Sequence, residues 1–512
     1  MILVCTGAGA LNVLAFAPFG WWPMQIATLA FVFWLAARES SVRRSMLLGW
    51  AYGFGWIACG VYWLYISMHR YGGMPAWMAI LAVILFATAM GAYAGLATAS
   101  ASWLKQRWDA APAVVLLMIL PATWTLSEWL RGWVFTGFPW IASGYAHSAS
   151  PLAGFAPIVG VYGLAWLAAV IAGCLVMLPS RKRMIIPVIV IFGAGLGLKS
   201  VAWTEASGRP ISVRLLQGNV PQEMKFDSSQ IVATLDLYSN MIRQSPADLI
   251  VTPETALPLF AHQLPPDYLA SLSGYARQSG SDVLIGIPLS SAPMQYTNSV
   301  IGLAARTPAT PSTEPYQYHY DKHHLVPFGE FIPRGFRWFV DMMHIPLGDF
   351  TRGATLQAPF RVKDQWVLPN ICYEDLFGEE IADQLGAGYF SGTPQASMLL
   401  NMSNIAWFGD SIAVPQHLQI SQMRALETGR PMLRATNTGT TAVIEPSGKV
   451  SASLPTFERG VLTASVQGYQ GVTPYILYGN SVVIGLAMLM LAASWLLGRK
   501  NRRNSHDPGK NR

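Results

Sequence analysis

Val367-Leu368-Pro369-Asn370-Ile371-Cys372-Tyr373-Glu374-Asp375 passes from a β-rich run to a cysteine followed by Tyr-Glu-Asp. A short apolar run that stops abruptly at polar residues is the pattern of a buried strand ending at a cleft rim. The pattern recurs on either side. Residues 211–216, 248–251, 283–287, 299–303, 398–401, 442–444 and 461–466 have the same β-rich character. Helical patterns, such as 230–244 and 417–428, fall between some of them. Mixed strands and helices across residues 204–474 predict a layered α/β domain. Its length of about 270 residues buries a sizeable core. Residues 307–315, rich in Pro and Thr, predict a surface loop.

Outside that domain the chain is strongly apolar. Of 512 residues, 52% are hydrophobic and 12% charged, against about 25% charged in an average soluble protein. Mean hydropathy is +0.34, so part of the chain belongs in lipid. A bilayer span needs about 20 mostly apolar residues. Seven segments, 1–18, 22–37, 46–68, 76–103, 112–130, 152–178 and 184–203, predict an N-terminal membrane domain over residues 1–203. An eighth, 476–498, predicts a C-terminal membrane helix over 475–498, followed by a basic tail, 499–512.

The charges set the orientation. Arg38, Arg43, Arg44, Lys105, Arg107, Arg181, Lys182 and Arg183 fall in alternate loops, and the opposite loops carry only Arg70 and Arg131. By the positive-inside rule the eight are cytoplasmic. Both termini are then expected in the cytoplasm and residues 204–474 on the outer side. The net charge of +7 is thus accounted for as a topology signal, with no need for a nucleic-acid partner.

Cys5, Cys59 and Cys174 lie in apolar segments, which leaves Cys372 without a partner in its own domain. An isolated cysteine of this kind is usually inert core. Two further constellations follow runs with strand character. Leu249-Ile250-Val251-Thr252-Pro253-Glu254 ends on a carboxylate. Tyr320-Asp321-Lys322-His323-His324-Leu325-Val326-Pro327-Phe328-Gly329-Glu330 carries a lysine near its start. Each alone reads as an ordinary surface or capping residue. Together they suit a thiol acyl-transfer site, in which a carboxylate takes the thiol proton and an ammonium holds the oxyanion. His323 and His324 are neighbours, which on a strand point to opposite faces, and His344 and His417 show no ligand spacing. No metal is expected. The absence of a Gly-rich phosphate loop and of a dinucleotide fingerprint predicts no cofactor.

These motifs resemble the Glu-Lys-Cys triad of the nitrilase superfamily. Pro253-Glu254, Lys322 with the 324–330 stretch, and Ile371-Cys372-Tyr373-Glu374 carry the likeness. Within the superfamily the chain is similar to the apolipoprotein N-acyltransferases, the integral membrane branch. Gln217-Gly218-Asn219-Val220-Pro221-Gln222, Asn401-Met402-Ser403-Asn404, Ala406-Trp407-Phe408-Gly409, Met423-Arg424-Ala425-Leu426-Glu427 and Arg434-Ala435-Thr436-Asn437-Thr438-Gly439 extend it, as does the layout of spans.

The resemblance implies an α-β-β-α sandwich beside about eight transmembrane helices. It implies Cys372 as nucleophile, Glu254 as general base and Lys322 as the oxyanion-side cation. Glu330, Tyr373 and Glu374 would support the site, and Asn219, Phe226, Trp407 and Phe408 would bind substrate. The implied donor is a phospholipid, commonly phosphatidylethanolamine, and the implied acceptor a diacylglyceryl apolipoprotein. The family likeness also implies a bacterial inner membrane, and the expected state is a monomer. Three positions depart from the pattern. Thr252 and Phe226 stand where Trp is frequent, and Ile405 where Asp is common. A membrane-anchored amidase or nitrilase acting on small carbon–nitrogen bonds would use the same triad and stays open at this point. A non-catalytic scaffold or transporter is disfavoured by the scarcity of intramembrane charge.

Overall fold

The structure, a computed structural model, describes all residues except 225–227, 293–294, 306–315, 334, 336, 338–349, 393 and 507–512. The loop predicted at 307–315 therefore lies outside the described residues, as do Phe226 and His344. The chain forms two compact units. One comprises Met1–Leu64, Ala76–Val201 and Tyr478–Arg512, the other Tyr65–Pro75 and Ala202–Leu477. The segment Tyr65–Pro75 was expected to end the third span and link it to the fourth. It groups instead with the α/β unit.

The first unit is helical. Four of its helices are long and apolar enough to cross a bilayer: Ala76–Trp108, Pro112–Arg131, Pro151–Met177 and Ser481–Arg499. A fifth is reached if Val42–Gly60 is counted with the short helix after it. The other three predicted spans are helical but short. Ile2–Asn12 has 11 residues, Pro23–Arg38 has 16 and Ile185–Leu198 has 14. At about 1.5 Å per residue they reach roughly 17 to 24 Å, short of an apolar layer about 30 Å thick. By length and composition, then, the helices supply four or five full spans where the sequence predicted eight.

Small residues let these helices pack closely. A Cβ added to Gly53 would meet the Gly91 carbonyl oxygen at 2.7 Å. Glu128 is buried, yet its carboxylate accepts from Trp124 Nε1 at 2.6 Å and from the Ser143 N–H at 2.8 Å.

The second unit contains twelve strands among its described residues. The first five are β1 (Glu205–Gln217), β2 (Leu249–Val251), β3 (Asp282–Ala292), β4 (Gln295–Leu303) and β5 (Tyr318–Asp321). Next come β6 (Phe360–Val362), β7 (Gln365–Ile371), β8 (Met398–Ser403) and β9 (Met432–Thr436). The last three are β10 (Ala442–Ile444), β11 (Val450–Ser453) and β12 (Gly460–Gln470). They form two six-stranded sheets, ordered β12-β1-β2-β3-β4-β5 and β11-β10-β9-β8-β7-β6. Each is parallel at its centre, β1-β2-β3 in one and β7-β8-β9 in the other, and antiparallel at its margins.

The period-two alternation of strand side chains builds the layers. Leu249 and Val251 of β2, with Val213 and Leu215 of β1, join Val367, Leu400, Met402 and Leu433 of the other sheet in one buried core. Ile250 and Ile285 point the opposite way. They pack with Leu235, Ile242, Leu272 and Ala276 from helices Ser228–Arg243 and Tyr268–Ser279. Leu368, Leu399 and Met432 do the same for the second sheet, against Ile381, Leu385 and Ala425 of helices Gly378–Ser391 and Ala413–Thr428. The result is helix, sheet, sheet, helix, the expected sandwich.

Buried strands such as β2 and β8 read as continuous apolar runs because both faces are covered, and eight of the twelve strands were legible in the sequence. The four that the sequence reading missed, β5, β6, β9 and β11, have three to five residues each.

Candidate active site

The site gathers at one end of the sheets. Glu254 follows β2, Cys372 follows β7, Asn404 follows β8 and Asn437 follows β9, all at carboxyl ends of parallel strands. Strand β5 is antiparallel to β4, which is antiparallel to β3, so β5 runs with β2 and delivers Lys322 to the same end. Loops at this end of an open α/β sheet are where ligands bind.

Lys322 is almost fully buried, its side chain 1% exposed. Its Nζ lies 2.9 Å from Glu330 Oε1 and 3.4 Å from Glu254 Oε1. A buried charge of this kind requires opposite charges and hydrogen bonds around it. Asn298 bridges the same two oxygens, its Nδ2 donating to Glu254 Oε1 and to Glu330 Oε1, both at 2.8 Å. The backbone of Asn298 also accepts from the Lys322 N–H at 2.8 Å. The outer oxygens are held as well. Asn404 N–H donates to Glu254 Oε2 and Val326 N–H to Glu330 Oε2, each at 2.8 Å.

Burial disfavours the Lys322 ammonium, but Glu330, Glu254 and Cys372 outweigh it and hold the amine above its ordinary value. Lys322 is therefore a fixed cation. The Cys372 thiol is also pushed up from its ordinary 9.0. Withdrawal from water is the main cause, and the Glu254 charge adds to it. Lys322 and a hydrogen bond from the Asn404 backbone pull the other way without prevailing. The resting group is a neutral thiol, with a carboxylate at hand to take its proton.

Cys372 sits at φ +53. A non-glycine residue in the left-handed region costs about 1–2 kcal/mol, and such strain persists where surrounding contacts over-determine it. Cys372 opens a short 3₁₀ turn, Cys372–Leu376, directly after β7, and Glu374 fastens that turn. Its carboxylate accepts from the Ile371 and His323 N–H groups at 2.6 Å, from Tyr320 Oη at 3.0 Å and from the His324 N–H at 3.2 Å. Glu374 thereby ties the cysteine turn to the residues immediately after Lys322. Burial nevertheless raises its pKa above the ordinary carboxylate value, despite those donors. Tyr373 is buried, with its ring against His324 and Phe377 at 5.8 and 5.3 Å between centroids.

The structure thus brings together Glu254, Lys322, Glu330, Glu374 and the Cys372 turn. The expected substrate-binding residues divide. The Asn219 side chain donates to Phe457 O at 2.7 Å, and its backbone N–H to Asn437 O at 3.0 Å, so it fastens loops. Trp407 is half-buried, edge-on to Tyr71 at 5.9 Å, and Phe408 is half-buried beside it. Phe226 lies outside the described residues.

Sequence reading passed over Asn298, which lies among polar residues just before the run 299–303 and is buried all the same. It set aside His417 and gave Arg434 no role; both are buried beneath the cysteine turn. Among the described residues no three His, Cys, Asp or Glu side chains form a group that could hold a metal ion.

Residues 212–475 match the carbon-nitrogen hydrolase family, the class to which this sandwich and its strand-end cysteine point. A solved amidase from Nesterenkonia sp. AN1 is similar over 55% of this chain and 98% of its own, at 17% identity and a TM-score of 0.39. Residues 8–174 match the apolipoprotein N-acyltransferase N-terminal domain. An apolipoprotein N-acyltransferase of Ralstonia nicotianae is 48% identical over 500 residues, covering 96% of this chain and 92% of its own. One from Nitrosomonas europaea is 44% identical over 511 residues, covering 98% and 99%. The chain belongs to the apolipoprotein N-acyltransferase family.

Proposed function

We propose that this protein is an integral membrane acyltransferase that moves a fatty acyl chain from a phospholipid to the α-amine of a diacylglyceryl-cysteine at the N-terminus of an apolipoprotein. The observation that carries the chemistry is the buried Lys322 between Glu254 and Glu330, acting electrostatically on the Cys372 thiol. The relatives' activity selects the acyl acceptor over the small amides of the amidase alternative.

The cycle is ping-pong. Glu254 takes the thiol proton as Cys372 Sγ attacks the sn-1 ester carbonyl. The Lys322 ammonium, with the Tyr373 N–H, holds the oxyanion. The tetrahedral intermediate collapses, the lysophospholipid alkoxide leaves with the proton from Glu254, and a thioester remains on Cys372. The acceptor amine attacks that thioester, Glu254 takes its proton, and the thiol is restored. Phosphatidylethanolamine is the donor we favour. Asn219, Phe226, Trp407 and Phe408 are proposed to line the substrates, with the apolar 406–408 stretch covering the acyl chain. Water exclusion there protects the thioester from hydrolysis.

Mass spectrometry of the purified protein with phosphatidylethanolamine should show an acyl adduct on Cys372 that disappears when a diacylglyceryl peptide is added. Unimpaired transfer by Cys372→Ala would overturn the reading.

We propose eight hydrophobic helices in a bacterial inner membrane, seven in residues 1–203 and one in 475–498, with residues 204–474 as the catalytic domain of a monomer. The three short helices would then each cross with flanking residues or a locally thinned bilayer making up the missing length. The basic loops support a topology in which both termini, including the 499–512 tail, would be cytoplasmic and the catalytic domain periplasmic. A phosphatase reporter fused after Arg512 should be inactive, and a green fluorescent reporter at the same site should glow. An active phosphatase there would reverse the orientation of the last helix.

A further inference from the structure

The strained Cys372 backbone needs more than Glu374 to hold it, because Glu374 grips the turn through Ile371 and leaves the Cys372 carbonyl to other donors. Two side chains reach that carbonyl, Asn401 Nδ2 at 3.2 Å and His417 Nε2 at 3.3 Å. The second is built from behind. Residues of β9 alternate faces, so Leu433 and Ala435 enter the core while Arg434 points to the helix layer. There it meets His417 and Ser421, one turn apart on helix Ala413–Thr428.

Arg434 Nη2 lies 2.9 Å from His417 Nδ1. A guanidinium only donates, so Nδ1 is the acceptor and the imidazole proton must be on Nε2, facing the Cys372 carbonyl. Burial and the Arg434 charge hold the imidazole well below its ordinary value, which keeps it neutral in that tautomer. Arg434 Nη1 in turn bonds Ser421 Oγ and lies 3.4 Å from Asp375 Oδ2, which Ser421 also contacts. Asp375 belongs to the Cys372–Leu376 turn. The network therefore starts and ends on the same turn, gripping it at Cys372 and at Asp375. His417, Arg434 and Asp375 are all buried at 1% exposure or less.

We propose that His417, set in its Nε2–H tautomer by Arg434, is a positioning residue for the nucleophile. It fixes the Cys372 carbonyl, and with it the backbone angle that aims Sγ. This inference rests on Cys372 being the nucleophile. A network that merely stabilises the fold would alter melting and leave turnover per folded molecule unchanged. A positioning network alters the acylation rate with substrate affinity intact.

The experiment compares His417→Leu, which has no donor, with His417→Gln, which keeps an N–H and an acceptor. Arg434→Lys, which keeps the charge opposite Asp375 but loses the fork, is measured in parallel. Single-turnover acylation by phosphatidylethanolamine is followed in folded, detergent-solubilised protein, with Cys372→Ala as control. His417→Leu is expected to lower the acylation rate constant about 10- to 100-fold with KM within about twofold. His417→Gln is expected to recover most of the rate, and Arg434→Lys to fall between them. If His417→Leu does not fold, Arg434→Lys carries the same readout. Wild-type acylation in the folded His417→Leu or Arg434→Lys protein would overturn the proposal. So would a His417→Gln protein as slow as His417→Leu. Transfer surviving in Cys372→Ala would instead overturn the nucleophile assignment itself.

Discussion

Replacing Lys322 with methionine is expected to slow acylation of Cys372 by at least about 10²-fold, the scale of losing one oxyanion donor. Two effects act together. Methionine fills the space of the lysine stem but brings no charge to the developing oxyanion. It also removes the charge that pulls the Cys372 thiol down against burial and the Glu254 charge. Without that cation the thiol is held higher still. Since attack on the ester needs the thiol proton removed, the residual acylation rate of Lys322→Met should climb with pH. Single-turnover acylation from about pH 6 to 9 checks this, with the melting temperature reporting on the fold. Near-normal acylation at neutral pH would remove Lys322 from the mechanism. A low but pH-independent rate would remove the coupling between Lys322 and the thiol.

Much of this site was visible in the chain because strands covered on both faces betray themselves as apolar runs. Val251 and Ile371 each close such a run, and the polar residues after them, Glu254 and Cys372, are functional candidates for that reason. Lys322 was harder. Its strand, Tyr318–Asp321, has four residues at the edge of a sheet, too few for a period-two pattern to stand out. The motif and its resemblance supplied what periodicity did not.

Asn298 carries no local signal at all. It lies within β4, opposite Pro288, and its importance depends on β4 lying beside β5 and on its reach to Glu254. His417 and Arg434 needed two periodicities combined across separate elements, the i, i+4 spacing of a helix and the alternation of a strand. No stretch of sequence joins them. The membrane helices present the opposite case. Composition alone counted every apolar stretch, while the folded lengths of Ile2–Asn12 and Ile185–Leu198 fall short of a full crossing.

The Glu254→Gln variant should move two properties of Cys372 in opposite directions. Acylation by phospholipid should fall about 10²- to 10⁴-fold, the contribution of a positioned general base. The thiol itself should become more acidic. Burial raises its pKa first, but the Glu254 carboxylate is the next cause, while Lys322 lowers it. Removing the negative charge and keeping the positive one shifts the balance toward the thiolate. At a fixed pH below the thiol pKa the thiolate fraction then rises, so alkylation by iodoacetamide, which needs only the thiolate, should speed up. Its pH profile should shift toward lower pH. In the wild type the same profile should still be rising past pH 9.0, the ordinary thiol value. Glutamine is nearly isosteric and its single oxygen can still accept from the Asn404 N–H, which lies 2.8 Å from Oε2. Its amide then faces Asn298 and Lys322, where a second acceptor stood. A merely loosened protein would also relieve the burial that raises the thiol, so the readouts report a lost base only if the melting temperature of Glu254→Gln stays near that of the wild type. If alkylation slows in step with acylation, Glu254 would be withdrawing the proton before attack, and the resting neutral thiol assigned to this site would be wrong.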